Sequence, residues 1–272
     1  MKFEIPANRL KFIGDVINIS TSAIGGKEVD LVEDVVIDVR SNMISSSFSD
    51  KSNPPYFIGR VEVSKGFKVI EEGKLNISNL SDFIEYIKLF RPTDNLIVEE
   101  KDGKIYLKRE VPAKVISFPA LSKEEGEKRE SVVNEGLSLL KFNEQEKVWE
   151  GRKFKWKSYF EILASKFIDI LDDVKKVGGK EIKFPLTISP EKVVLSLESV
   201  DKMVSIERVL EVSKLVAEET ISNTYSFGLD GVLKVLDEKV RVWMAKDAPL
   251  IIERLDVGDG IRYYYILPPY LG

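Results

Sequence analysis

The order of strand-like and helix-like segments runs through this chain twice, and that repetition constrains the fold more than any single motif. Each half reads as a strand, a helix, about four strands, a second helix and three last strands. The halves share topology rather than letters, which still marks an internal duplication. It predicts an α+β protein of two like domains, each a mostly antiparallel sheet with two helices on one face.

In the first half Lys2–Ile5 is strand-like, and Leu10, Ile13, Val16 and Ile17 make one apolar stripe over a helix from about Ala7 to Ile19. Strands are expected at Glu28–Leu31, Val35–Arg40, Phe57–Val63 and Phe67–Glu71, with Ser45-Ser46-Ser47 and Asn53-Pro54-Pro55 as loop. Phe83, Ile84, Ile87 and Phe90 predict a helix over Leu80–Phe90, capped by Asn79 or Ser78 and ended by Arg91-Pro92. Leu96–Glu100 and Lys104–Arg109 form a hairpin across Lys101-Asp102-Gly103, and Ala113–Phe118 follows as a strand.

Residues 119–152 differ in character. Lys123–Glu130 is dense in charge, and Leu137, Leu139, Leu140 and Phe142 are the apolar residues able to pack. This stretch reads as a long connector between a domain at 1–118 and another at 153–272. The second half then starts on Lys153–Lys157, with a helix over Tyr159–Lys176 ended by Gly178-Gly179. Strands are expected at Glu181–Thr187, Val193–Glu198, Met203–Leu210 and Glu219–Phe227, then a helix Leu229–Glu238 exposing Asp230, Lys234 and Asp237. Val240–Ala245, Pro249–Leu255 and Ile261–Leu267 close the chain, the last two joined at Val257-Gly258-Asp259-Gly260.

Composition removes whole classes of chemistry. With no cysteine and no histidine in 272 residues, there is no Ser-His-Asp triad, no thiolate or imidazole zinc site and no disulfide. No apolar run approaches the roughly 18–20 residues that cross a bilayer, and the opening Met1–Pro6 lacks the apolar segment of a signal peptide. A soluble, cytoplasmic protein is expected. The net charge of −4 argues against non-specific coating of DNA, although positive charge confined to one surface could still meet it.

The C-terminal residues are the most specific. Ala248-Pro249-Leu250-Ile251-Ile252-Glu253, followed by Gly260-Ile261-Arg262-Tyr263-Tyr264-Tyr265-Ile266-Leu267-Pro268, resembles the closing hairpin of the proliferating cell nuclear antigen family of DNA sliding clamps. Phe227-Gly228-Leu229-Asp230-Gly231-Val232-Leu233 stands where that family has its last helix, and Asn79-Leu80-Ser81-Asp82-Phe83 with Ile87-Lys88 resembles the matching helix of the first half. The order of elements follows the family over nearly the whole chain, and residue likeness is concentrated in Tyr225–Pro268. The type is that of an archaeal or archaeal-viral clamp.

The resemblance implies the DNA-clamp fold and a ring of three subunits that encircles duplex DNA, with helices lining the hole. Such a processivity factor is a non-catalytic scaffold for replication and repair, needing no cofactor or metal and working at the nucleoid. Its partners would be duplex DNA without sequence preference, other clamp subunits, DNA polymerase, the clamp loader and other proteins bearing clamp-binding motifs. Carried over by position, the partner-peptide pocket falls on Met43, Ile44, Pro249, Tyr265, Leu267 and Pro268. Subunits would join edge to edge, Lys114, Val115, Ile116 and Phe118 of one copy meeting Met203, Val204, Ile206 and Arg208 of the next. Lys11, Lys88, Lys166 and Lys234 would face DNA, although acidic residues outnumber basic ones on the same helices.

Other readings stay open. Lys153-Phe154-Lys155-Trp156-Lys157 places three lysines on one strand face, which suits either nucleic acid or plain solvent. Pro92-Thr93-Asp94 with Glu99-Glu100-Lys101 has the residue types of a PD-(D/E)xK nuclease, in which carboxylates hold a divalent metal and lysine supports the attacking water. A clamp-fold protein acting as a monomer, or beside unlike partners, is a third.

Overall fold

A computed structural model describes all residues except 25–26, 51, 53–54, 178–181, 200, 202, 226–228, 256 and 271–272. It opens with β1 (Lys2–Pro6), α1 (Ala7–Ile17) and a hairpin of β2 (Ser20–Ile24) and β3 (Lys27–Asp30). A meander of β4 (Val35–Arg40), β5 (Met43–Ser49) and β6 (Ile58–Val63) leads through β7 (Lys68–Glu71) and β8 (Gly73–Ile77) to α2 (Leu80–Lys88). The strands β9 (Asn95–Lys101), β10 (Lys104–Arg109) and β11 (Lys114–Pro119) end this half. The connector folds as α3 (Lys123–Leu137) and three short strands, β12 (Leu140–Asn143), β13 (Val148–Gly151) and β14 (Lys155–Trp156).

The second half repeats the order with β15 (Ser158–Leu163), α4 (Ala164–Val177) and the meander β16 (Ile182–Ile188), β17 (Val193–Ser199) and β18 (Val204–Val209). There follow β19 (Lys214–Val216), β20 (Ile221–Tyr225), α5 (Leu229–Val235), β21 (Lys239–Met244), β22 (Leu250–Arg254) and β23 (Ile261–Leu267). The β2–β3 hairpin has no counterpart in the second half among the described residues.

Local chemistry accounts for the element ends. Asn79 caps α2 by accepting the Asp82 N–H at 3.0 Å. Helix α1 lacks a side-chain cap, and its first donors go instead to the 92–94 segment: Ala7 N–H to Asp94 and Asn8 N–H to Pro92. The β9–β10 hairpin turns on Asp102 and Gly103, both at positive φ, as a two-residue turn of this hand requires.

Two halves share one continuous sheet. It runs β19-β15-β21-β22-β23-β6-β5-β4-β8, and the joint between halves is β23 against β6, paired antiparallel from Ile261↔Val63 to Ile266↔Ile58. Separate sheets flank it, β11-β10-β9-β1-β7 in the first half and β18-β17-β16-β20 in the second. Strand alternation gives the shared sheet two faces. Val240, Val242, Leu250, Ile252, Tyr263 and Tyr265 point into the main core, beneath the helices, while Trp243, Ile251 and Ile266 form a second cluster on the outer face. Cross-half bonds reinforce the joint: the Tyr265 hydroxyl donates to the Val16 carbonyl at 2.7 Å, and Arg9 donates to the Asp259 carbonyl.

Several expectations need correction. Ser45-Ser46-Ser47 is strand, not loop: a serine run can continue a ladder when its hydroxyls are satisfied, and buried Ser46 donates to the Val36 carbonyl at 2.8 Å. The first strand of the second half is Ser158–Leu163, so Tyr159–Leu163 is not helical, and Lys155–Trp156 pairs with β13. Phe160 and Ile162 alternate inward against β21, a period of two that an apolar run leading into a helix conceals. Within the connector, Lys123–Glu130 is helical and mostly exposed. Asp230, expected on the surface, is buried. Gly25, Gly26, Asn53, Pro54, Gly178, Gly179, Phe227 and Gly228 lie outside the described residues.

Candidate functional site

An apolar pocket lies on the outer face of the shared sheet, and the connector builds most of it. Helix α3 is weakly apolar and approaches the sheet through small residues. A Cβ on Gly126 would stand 2.5 Å from Asn76 Oδ1, and one on Gly136 would stand 2.3 Å from Ile58 Cδ1. Only glycine permits that closeness without displacement. The helix is also held by Lys74–Glu130 and Arg129–Asp34 pairs.

The short strands of the connector bring Trp149, Trp156 and Phe142 onto the sheet's Trp243, Ile251 and Ile266. Phe142 meets Trp149 edge-on at 5.4 Å, and Trp149 meets Tyr264 the same way at 5.1 Å, a favoured aromatic geometry. Trp156, fully buried, donates its indole N–H to the Pro249 carbonyl.

Between helix, strands and C-terminal tail remains a cavity of about 610 Å³. The loop before β6 and the strand's first residue contribute Pro55, Phe57 and Ile58; α3 and its end give Val132, Gly136 and Leu139; β14 and the residue before it give Phe154 and Trp156; the closing hairpin and the tail after it give Pro249, Ile266 and Pro268. Arg152, Lys153 and Glu135 stand at the rim. Apolar walls with a polar rim suit the burial of a partner's apolar side chains.

The expected pocket residues divide. Pro249 and Pro268 line the cavity. Tyr265 and Leu267 do not, because they share the inward face of β23 and are buried in the main core. A one-residue offset along a strand reverses the face, and Ile266 holds the position expected of Tyr265. Met43 and Ile44 open β5, at the far end from the loop that borders the pocket. Sequence reasoning did not place Phe154, Trp156, Val132 or Leu139 at this pocket; Val132 on the polar α3 and Leu139 just beyond its end were the available signal.

The second feature is a pair of sheet edges. β11 ends the five-stranded sheet and β18 ends the four-stranded one, each with a partner on one side only. Large apolar side chains stand open near both: Val115 is 60% exposed beside Val111 at 86%, and Met203 is 95% exposed with Val209 at 61%. Val204 is open as well, and Ile206 is half-buried. Ile116 packs partly against the core, Phe118 sits against Phe83 and Tyr86, Lys114 lies over the Phe90 ring, and Arg208 pairs with Asp173. The residues expected at a subunit joint thus occupy two unfinished edges. Strand edges with exposed apolar residues are templates for pairing.

The helices α1, α2, α4 and α5 lie on the face opposite α3, packed pairwise. Three of their lysines are paired. Lys11 pairs with Asp15 at 2.5 Å, Lys88 with Glu85 at 2.5 Å and Lys166 with Glu211 at 2.9 Å. The Glu211 hydrogen bond raises the Lys166 pKa, and the same bond lowers that of Glu211. Lys234 is exposed near the end of α5.

The nuclease-like residues do not converge. Asp94 pairs with Arg109 at 2.6 Å, Glu99 with Lys108, and Glu100 accepts from the Asn76 backbone at 2.6 Å. Burial pushes the Asp94 carboxyl up, but the Arg91 N–H and the Arg109 guanidinium outweigh it and hold it below the usual range. Among the described residues no group of three or more acidic side chains is placed to hold a metal. No helix among them is long and apolar enough to cross a membrane.

No protein-family model and no curated protein matches the sequence. Solved structures do. An A. fulgidus PCNA bound to the C-terminal region of FEN-1 superposes with a TM-score of 0.71 at 12% identity, covering 100% of this chain and 98% of that one. The PCNA of Thermococcus kodakaraensis gives 0.69 at 15% identity, covering 98% and 100%. The PCNA2-PCNA3 complex of Sulfolobus tokodaii gives 0.68 at 16% identity, covering 99% of each chain. The chain therefore has the DNA-clamp fold from end to end.

Proposed function

We propose that this chain is a subunit of a DNA sliding clamp, a scaffold that holds replication and repair enzymes on duplex DNA by encircling it. One observation carries the reading. β23 is the last strand of its half and β6 the third strand of the opposite meander; β11 and β18 occupy the corresponding places in the repeat. The chain makes the β23–β6 joint within itself and leaves the equivalent β11 and β18 edges open. A second copy repeats the joint by pairing its β18 with β11, and further copies extend it until the annulus closes. The clamp resemblance implies closure at three subunits, with residues 1–118 and 153–272 as the domains and 119–152 between them.

The helix layer would line the hole, with Lys11, Lys88, Lys166 and Lys234 as its cations. Phosphate contacts need only be weak and blind to sequence, because enclosure supplies the retention. The outer pocket would receive the peptide motifs of partners such as polymerase, clamp loader and FEN-1, whose C-terminal region is bound in one of the similar structures. This role places the protein at the nucleoid and asks for no reaction chemistry.

Sedimentation equilibrium tests the assembly. The expected mass is three times 30.9 kDa, reduced to one chain by Val115→Asp with Val209→Asp. A parent protein that stays monomeric at all concentrations would overturn the ring.

A further inference from the structure

We propose that the apolar pocket continues into a lysine-lined groove, and that the partner of this cleft is a peptide carrying a run of carboxylates beside its apolar anchor. The inference rests on the pocket reading above and adds the chemistry of what enters it. The groove, about 550 Å³, lies between β14 and the turn after β21, and Lys153 and Phe154 line both it and the pocket. The two cavities are therefore neighbours sharing a wall, not separate sites.

Several cations on that wall carry no ion pair. Lys155 is held by Glu146 at 2.5 Å and Glu150 at 3.2 Å, which raise its pKa. Lys153 and Lys157 beside it, Lys246 across the turn and Arg152 at the junction meet no carboxylate within salt-bridge distance among the described residues. The helix-face lysines Lys11, Lys88 and Lys166 are instead paired, in a chain whose net charge is −4. The lysine strand is also fixed in place: the Gly151 N–H donates to the Phe154 carbonyl at 2.8 Å, and Trp156 is anchored in the sheet. A preformed cationic wall costs a partner little ordering on our side of the contact.

Glu218 and Glu219 also line the groove. They disfavour a nucleic-acid strand, whose charge recurs at every phosphate along its length. A peptide can set carboxylates on the lysine wall and leave neutral or basic residues facing the glutamates. An acidic peptide segment is the occupant that satisfies both sets of charges.

The test uses the C-terminal region of FEN-1 as the apolar probe, alone and extended at either end by four Glu, four Ser or four Lys. The Glu-extended peptide from one end should bind about tenfold tighter than the Lys-extended one at low salt, as a few exposed ion pairs allow. The gap should close at high salt. Lys153→Glu with Lys157→Glu and Lys246→Glu should reverse the order while leaving the melting temperature unchanged. Equal affinity for every extended peptide, or displacement of the Glu-extended peptide by oligo-dT, would overturn the acidic-partner inference alone. Failure of the unextended probe and all its extensions to bind would instead remove the pocket reading on which it rests.

Discussion

Trp156 donates its indole N–H to the backbone carbonyl of Pro249 at 2.8 Å, tying the last strand of the connector to the start of β22. The indole is fully buried, and both residues line the apolar pocket. Trp156→Ala removes the bond and leaves a cavity, at a cost of about 3–5 kcal/mol by analogy with other buried aromatics. The expected outcome is a lower melting temperature and, on the proposed reading of the pocket, loss of partner-peptide binding, with the oligomeric mass retained. Loss of the oligomer would show that the connector also supports the assembly edges.

Glu253 lies under the same connector and accepts the Trp243 indole N–H at 3.0 Å. Burial pushes its carboxyl up, opposed by that hydrogen bond and by Arg241. A carboxyl whose folded pKa is raised holds its proton more tightly in the folded state. Its stabilising contribution is complete below the unfolded carboxylate range and is lost as pH rises through the folded value. Glu253→Gln keeps an acceptor for Trp243 without the buried charge. The variant should melt higher than the parent at mildly alkaline pH and equal to it in acid, as calorimetry across pH would read; a variant less stable throughout contradicts this.

Paired lysines on the helix face predict weak, adjustable DNA contact. Glu85→Gln with Glu211→Gln frees Lys88 and Lys166 from their partners. If both lysines then reach phosphate, log affinity should fall more steeply with log salt, by about 2 in slope at roughly 0.9 per phosphate. Fluorescence anisotropy on duplex DNA measures it. An unchanged slope would place these lysines away from DNA.

The duplication, the α+β class and the closing hairpin were legible because they rest on long periodic segments and turn chemistry, as at Asp102-Gly103. The faces were harder to read. Tyr265 and Ile266 are adjacent letters, yet one is core and the other lines the pocket, and only the register of β23 against β22 and β6 decides which. Ser45-Ser46-Ser47 carries no apolar pattern, and its place as strand depends on neighbours on both sides. The connector's order comes from tryptophans packing onto a sheet that follows them in sequence. Such long-range contacts have no local signature.

Enclosure of DNA is tested most directly by topology. The chain contains no cysteine, so Ser117→Cys combined in turn with Ser205→Cys, Ile206→Cys or Glu207→Cys allows disulfides across β11 and β18 alone. Oxidised in the presence of closed circular plasmid, the pair in correct register should leave protein on the DNA through a high-salt wash. Cutting the plasmid once should release it. Protein that washes off the intact circle, or stays bound after the cut, would contradict a ring that holds DNA by surrounding it.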